Sequence, residues 1–134
     1  AFDAKPPWAL EEALENLRDR GAVRLAIVTS KNRRGTLRGL QLCDLEQYFD
    51  VFITADDVEK HKPDPAPVIA ALDQFAVDAS EAVFIGDSPH DIAAGRSAGV
   101  QTAAVLWGPF TRQALAHQPP DHWLTCPADI STLF

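Results

Sequence analysis

Four short apolar runs, Val23 to Thr29, Val51 to Thr54, Ala82 to Ile85 and Thr102 to Leu106, constrain the fold of this chain more than any other feature. They lack the polar–apolar alternation of a strand with one wet face, so each reads as a strand buried on both sides of a parallel sheet. Helical spacing fills the intervals. Leu10, Ala13, Leu14 and Leu17 follow Pro6 and Pro7 and precede Gly21, which predicts a helix over residues 7–20. Leu37, Leu40, Leu45 and Phe49 predict one or two short helices, Val68, Leu72 and Phe75 another, and Ile92, Ala94 and Ala98 a fourth that Gly99 ends. Leu115 sits on a short helix, His122 to Leu124 reads as a last edge strand, and Pro127 to Phe134 as one or two helical turns. Helices alternating with buried strands across short loops predict one α/β domain over residues 1–134, its sheet mostly parallel and covered on both faces.

Composition narrows the partners. Twelve Lys and Arg against nineteen Asp and Glu leave a net charge of -7, so phosphate backbones and anionic lipid are repelled, and neither nucleic acid nor a membrane is expected as a partner. No apolar run is long enough to span a bilayer or act as a signal peptide. Cys43 and Cys126 stand far apart, fit no metal spacing and suit a reducing compartment, so the expected location is the cytoplasm.

Ligands of open parallel sheets bind beyond the carboxyl ends of the strands, which directs attention to the residues after each apolar run. These are Thr29-Ser30-Lys31, then Thr54 with Lys60-His61-Lys62-Pro63-Asp64-Pro65, then Gly86-Asp87-Ser88-Pro89-His90-Asp91. Asp87 at a strand end and Asp91 one turn into the next helix supply the one or two carboxylates that Mg²⁺ needs when a substrate phosphate completes its shell. A helix cap at Asp87 and a first-turn acid at Asp91 would account for the same spelling. Lys62, in a stretch stiffened by Pro63, Pro65 and Pro67, can neutralise a phosphoryl oxygen or be a surface lysine. The Thr29 hydroxyl and Ser30 N–H can hold a phosphate oxygen, or Thr29 can cap a helix. The basic run Lys31, Arg33 and Arg34 either extends the anion site or is a solvated helix start. Trp8, Trp107 and Trp123 read as packing rather than a stacking platform.

The order strand-Thr29, Lys62-Pro63-Asp64-Pro65 and Gly86-Asp87-Ser88 with Asp91, together with Thr54-Ala55-Asp56-Asp57-Val58, resembles the haloacid dehalogenase superfamily of phosphohydrolases. It is similar in particular to the phosphoglycolate phosphatase and pyrophosphatase branch, from Pro6 to Phe134. The resemblance implies a Rossmann-like three-layer core and Mg²⁺-dependent hydrolysis of a small phosphorylated metabolite or pyrophosphate through an aspartyl-phosphate. It assigns Thr29, Lys62 and Asp87 to catalysis, Thr29, Ser30 and Lys62 to phosphate, and Asp87 and Asp91 to Mg²⁺.

One part of the pattern is missing. The superfamily's nucleophile motif, D-x-D-G-T/V at the end of an N-terminal strand, has no counterpart in these residues, and residues 2–6 resemble instead the linker by which such proteins return from a helical cap. The resemblance places the missing strand between those ending at Thr29 and Asp87. Its loss is therefore expected to split the sheet and leave unpaired edges, at about 1–3 kcal/mol for each buried unsatisfied group. Residues 1–134 then read as the C-terminal part of the core, without cap or first strand. The missing segment or another chain is expected to complete the sheet, and these residues alone are expected to be inactive. The alternative reading is a non-catalytic phosphate- or metabolite-binding module derived from the same fold.

Overall fold

The computed structural model describes residues 7–21 and 23–134. The expected linker at residues 2–6 lies outside them. Helix α1 (Pro7–Arg20) precedes β1 (Ala26–Val28), α2 (Arg33–Leu42) and β2 (Val51–Ile53). The chain continues through α3 (Ala66–Phe75), β3 (Val83–Gly86), α4 (Pro89–Ala98) and β4 (Gln101–Val105), then α5 (Arg112–Leu115) and β5 (His122–Leu124). Short 3-10 turns lie at residues 46–48, 79–81 and 127–133. Gly21 and Gly99, at φ +74° and +83°, end α1 and α4 where their positions in the sequence predict.

All strand pairs are parallel, as the continuous apolar runs predict, but the strands form two sheets. One is β1-β2, the other β3-β4-β5. Leu14, Leu17, Leu45, Tyr48 and Ile130 form the core on the face covered by α1, α2 and the C-terminal turn. Val68, Ala71, Ala94, Ile92 and Leu115, from α3, α4 and α5, cover the other. These layers bridge the two sheets. Leu25 beside β1 and Ile85 of β3 both pack on the α1 side, and Val28 and Phe84 meet the α3–α4 side.

The first strand is shorter than the sequence predicts. Val23 to Thr29 is apolar enough for a seven-residue strand, yet only Ala26–Val28 pairs as one. A strand's length is set by its partners, and β1 has one on a single side. Between β1 and β3 runs an open slot of about 1120 Å³, lined along both strands from Val23 to Lys31 and from Glu81 to Ser88. Hydrogen-bond alternation fixes which backbone groups face it. Leu25 O and Thr29 N–H engage residues of the β2 segment, so the N–H and C=O of Ala26 and Val28 turn toward the slot. Ala82 O accepts from Gln101 N–H at the β4 side, so Val83 and Ile85 turn their backbone groups toward the slot from opposite.

Candidate functional site

At the carboxyl end of the slot the three polar strand ends meet. Thr29, Ser30, Lys31, Lys62, Asp87, Ser88 and Asp91 all line the same cavity. Each is positioned by local chemistry that leaves particular groups unspent.

After β1, Asn32 rather than Thr29 caps α2, its Oδ1 accepting from Gly35 N–H at 2.7 Å. Thr29 Oγ1 accepts from Lys31 N–H at 3.2 Å, folding the loop back, and its own O–H has no acceptor among the described residues. Ser30 N–H likewise meets no acceptor there. A hydroxyl and an amide donor thus stand together at the mouth of the slot.

The loop after β2 is clamped to this one. Arg33 Nη2 donates to both oxygens of Asp57 at 2.9 and 2.8 Å and to Phe52 O, while Arg33 N–H donates to Asp56 at 2.8 Å. Asp57 also receives the N–H and O–H of Thr54, a side chain wholly buried. The Thr54 hydroxyl, followed by the Arg33 guanidinium and the Thr54 amide, holds the Asp57 carboxyl below its ordinary value of 3.8. Arg33, at the start of α2 and with its side chain 43% exposed, is thus also a brace between two loops.

Beyond this clamp the chain turns through a cis Lys62–Pro63 peptide, and the Lys62 ammonium reaches back across the slot's end. Its Nζ lies 2.6 Å from Asp91 Oδ1, 3.4 Å from Val28 O and 5.7 Å from the centre of the Phe84 ring. Both members of the Lys62–Asp91 pair are almost enclosed, their side chains 13% and 10% exposed. The pair ties the β2–α3 loop to α4, and Lys62 is a nearly enclosed cation rather than a surface lysine.

After β3, Ser88 caps α4 by accepting from Asp91 N–H at 3.2 Å, with Pro89 at the first helical position. Asp87 is thereby relieved of the capping role. Asp91 Oδ2 accepts Asp87 N–H at 3.0 Å, so each of its oxygens already has a partner, and Asp87 lines the cavity beside it. Two glycines shape this corner. A Cβ on Gly86 would lie 2.2 Å from Asp91 Cβ, and one on Gly108, in the loop after β4, 2.8 Å from Asp87 Cβ. Burial, then the neighbouring Asp91 charge, push the Asp87 carboxyl above its ordinary value, with Lys62 opposing them.

Those two carboxylates suit a hard divalent cation. Among the described residues no three His, Cys, Asp or Glu side chains cluster, but Mg²⁺ requires only one or two carboxylates, and the donors here are all oxygen. The like charges that raise the Asp87 pKa are also what a cation would relieve. The sequence reading missed Gly108, the Arg33–Asp57 clamp and the Ser88 cap. The signal for Gly108 is its place just after the fourth apolar run, where the earlier runs carry their polar residues.

The chain is similar to known proteins in sequence and in fold. The haloacid dehalogenase-like hydrolase family matches residues 4–105. The pyrophosphatase PpaX of Bacillus pumilus is 44% identical over 119 residues, which are 89% of this chain and 55% of that protein. The pyrophosphatase PpaX of Bacillus velezensis is 41% identical over 119 residues, with the same shares. A subfamily IA hydrolase of the superfamily from Geobacter sulfurreducens superposes with a TM-score of 0.79 at 30% identity, over 93% of this chain and 54% of its own. A predicted phosphoglycolate phosphatase from Haemophilus somnus gives a TM-score of 0.85 at 28% identity, over 92% and 54%. The chain spans about half the length of the curated relatives it matches. On the family match and the shared fold, the chain belongs to the haloacid dehalogenase-like hydrolases.

Proposed function

We propose that this chain forms the phosphate- and metal-holding part of a Mg²⁺-dependent phosphohydrolase. Its substrate is a small phosphorylated metabolite or inorganic pyrophosphate. The observation that carries the reading is the convergence of Thr29, Ser30, Lys62 and Asp87 at one end of a slot whose two long walls are strands each unpaired along the edge that faces it. Relatives named as pyrophosphatases support the reaction class.

In this reading residues 1–134 are one core domain, and a strand entering the slot parallel to β1 and β3 brings a nucleophilic carboxylate to the Thr29–Asp87 end. The substrate's phosphoryl group lies against the Thr29 hydroxyl and the Ser30 N–H, with the Lys62 ammonium neutralising its oxygens. Asp91 holds that ammonium in place. As the carboxylate oxygen forms its bond to phosphorus, the bond to the leaving-group oxygen breaks; water then cleaves the acyl phosphate and releases phosphate. Asp87, with Asp91 beside it, would hold Mg²⁺, which supplies positive charge against the phosphoryl oxygens.

Phosphate release from pyrophosphate and from small phosphomonoesters, with Mg²⁺ and with EDTA, tests this. The 134-residue chain alone is expected to release none. Supplied with the unmatched part of the Bacillus pumilus pyrophosphatase, it should turn over in Mg²⁺ and stop in EDTA. Saturable phosphate binding with no turnover in the completed assembly would favour the binding-module reading instead.

A further inference from the structure

One buried donor has no acceptor. Trp107, two residues beyond β4, is 6% exposed, and its indole Nε1–H meets no hydrogen-bond acceptor among the described residues. Indole is a donor only, and leaving such a group buried and unpaired costs about 1–3 kcal/mol. A buried tryptophan ordinarily finds a partner. Trp107 belongs to the apolar cluster of Ala13, Leu17, Ala103, Val105, Leu124 and Ile130. Trp107 also lines the slot.

We propose that the Trp107 indole N–H is a donor for the segment that fills the slot, and that its acceptor is a main-chain carbonyl of that segment. This rests on the reading that a strand enters between β1 and β3. Register places the contact. Ala104 stands beside Gly86, so Trp107 lies three positions beyond the end of β3, level with the mouth of the slot. Inside the slot the occupant's carbonyls are taken by the free N–H groups of Ala26, Val28, Val83 and Ile85, whereas past the mouth they have no strand to pair with. Trp107 meets the chain where it leaves the sheet. A small metabolite does not match the slot's length, since its volume of 1120 Å³ exceeds the roughly 300–1,000 Å³ of common small-molecule pockets and its walls offer rows of backbone donors and acceptors.

The test uses the 134-residue chain labelled with ¹⁵N-tryptophan and synthetic peptides tiling the part of the Bacillus pumilus pyrophosphatase that it does not match. W107F identifies the Trp107 indole signal among those of Trp8, Trp107 and Trp123. One peptide should bind, move the Trp107 indole proton downfield and slow its exchange with solvent, while the Trp123 signal stays put. W107F should bind that peptide about 5–10-fold more weakly, the effect of one hydrogen bond. Unchanged exchange at Trp107 in a complex that does protect the Ala26 and Ile85 amides would overturn the proposal and leave the strand reading standing. So would protection of the indole already present in the chain alone. If no peptide binds and those amides stay unprotected, the strand reading itself fails, and this proposal with it.

Discussion

Strands β1 and β4 invert the usual relation between composition and burial. The β4 sequence, Gln101-Thr102-Ala103-Ala104-Val105, is the less apolar, yet its last four residues are buried and Ala103 and Ala104 are wholly inaccessible. The β1 sequence Ala26-Ile27-Val28 is entirely apolar, yet all three residues are only half-buried. The difference lies in their neighbours. β4 pairs with β3 on one side and β5 on the other, and β1 pairs with β2 alone. Residues of β1 and β3 carry the hydrophobicity of a strand closed on both edges, so the sequence specifies burial that an occupant of the slot would complete. The candidate site residues Thr29, Lys62 and Asp87 line the same slot.

The tie across the slot's end is where the largest effect is expected. Asp91→Ala removes the partner of a nearly enclosed lysine, at about 3–5 kcal/mol. Urea denaturation should show this as a large fall in the midpoint, and a loss under 1 kcal/mol would mean that the two halves are joined by their apolar layers alone.

A matched pair of enlargements tests the two strands directly. Ala104→Leu forces bulk against Ile92 and Leu115 and should cost about 1–3 kcal/mol. Ala26→Val, on the half-buried strand, should stay within about 0.5 kcal/mol. Equal costs would show that β1 is as tightly enclosed as β4.

At the mouth of the slot the sign reverses. The Asp87 carboxyl has its folded pKa raised above the unfolded value, so its ionisation opposes folding as pH climbs through that range, and the penalty is complete above the folded value. Asp87→Asn should therefore raise the melting temperature of the metal-free chain, by more as pH climbs through that range, while weakening stabilisation by added Mg²⁺. A lower melting temperature would contradict this. Away from the slot, Asp57 has its pKa depressed, so its support is present above the ordinary value of 3.8 and is lost as pH falls through the lower folded value. The melting-temperature deficit of Asp57→Asn should be small at pH 7 and vanish in acid; a deficit that is independent of pH would sink the clamp.

These contrasts also show what the sequence could reveal. The α/β order was legible because each apolar run is written for burial, and Thr29 and Asp87 were legible as the residues directly after strands, whereas the approach of Lys62 to Asp91 depends on the path of the β2–α3 loop. Which side chain caps a helix was not legible. Thr29 and Asn32 are both good caps, as are Asp87 and Ser88, and only backbone angles decide between them. The Arg33–Asp57 clamp joins residues 24 apart through loop geometry that no local pattern encodes. The length of β1 was misread for a related reason, since pairing depends on a neighbour as well as on the strand's own residues.

Amide hydrogen exchange, residue by residue, bears most directly on the central claim that β1 and β3 await a strand between them. In the chain alone the amides of Ala26, Val28, Val83 and Ile85 should exchange far faster than those of Ala103 and Val105. With the unmatched segment of a pyrophosphatase relative bound, they should slow to the rates of β4. Amides on β1 and β3 already as protected as those of β4 in the isolated chain would mean that the slot is closed without a strand.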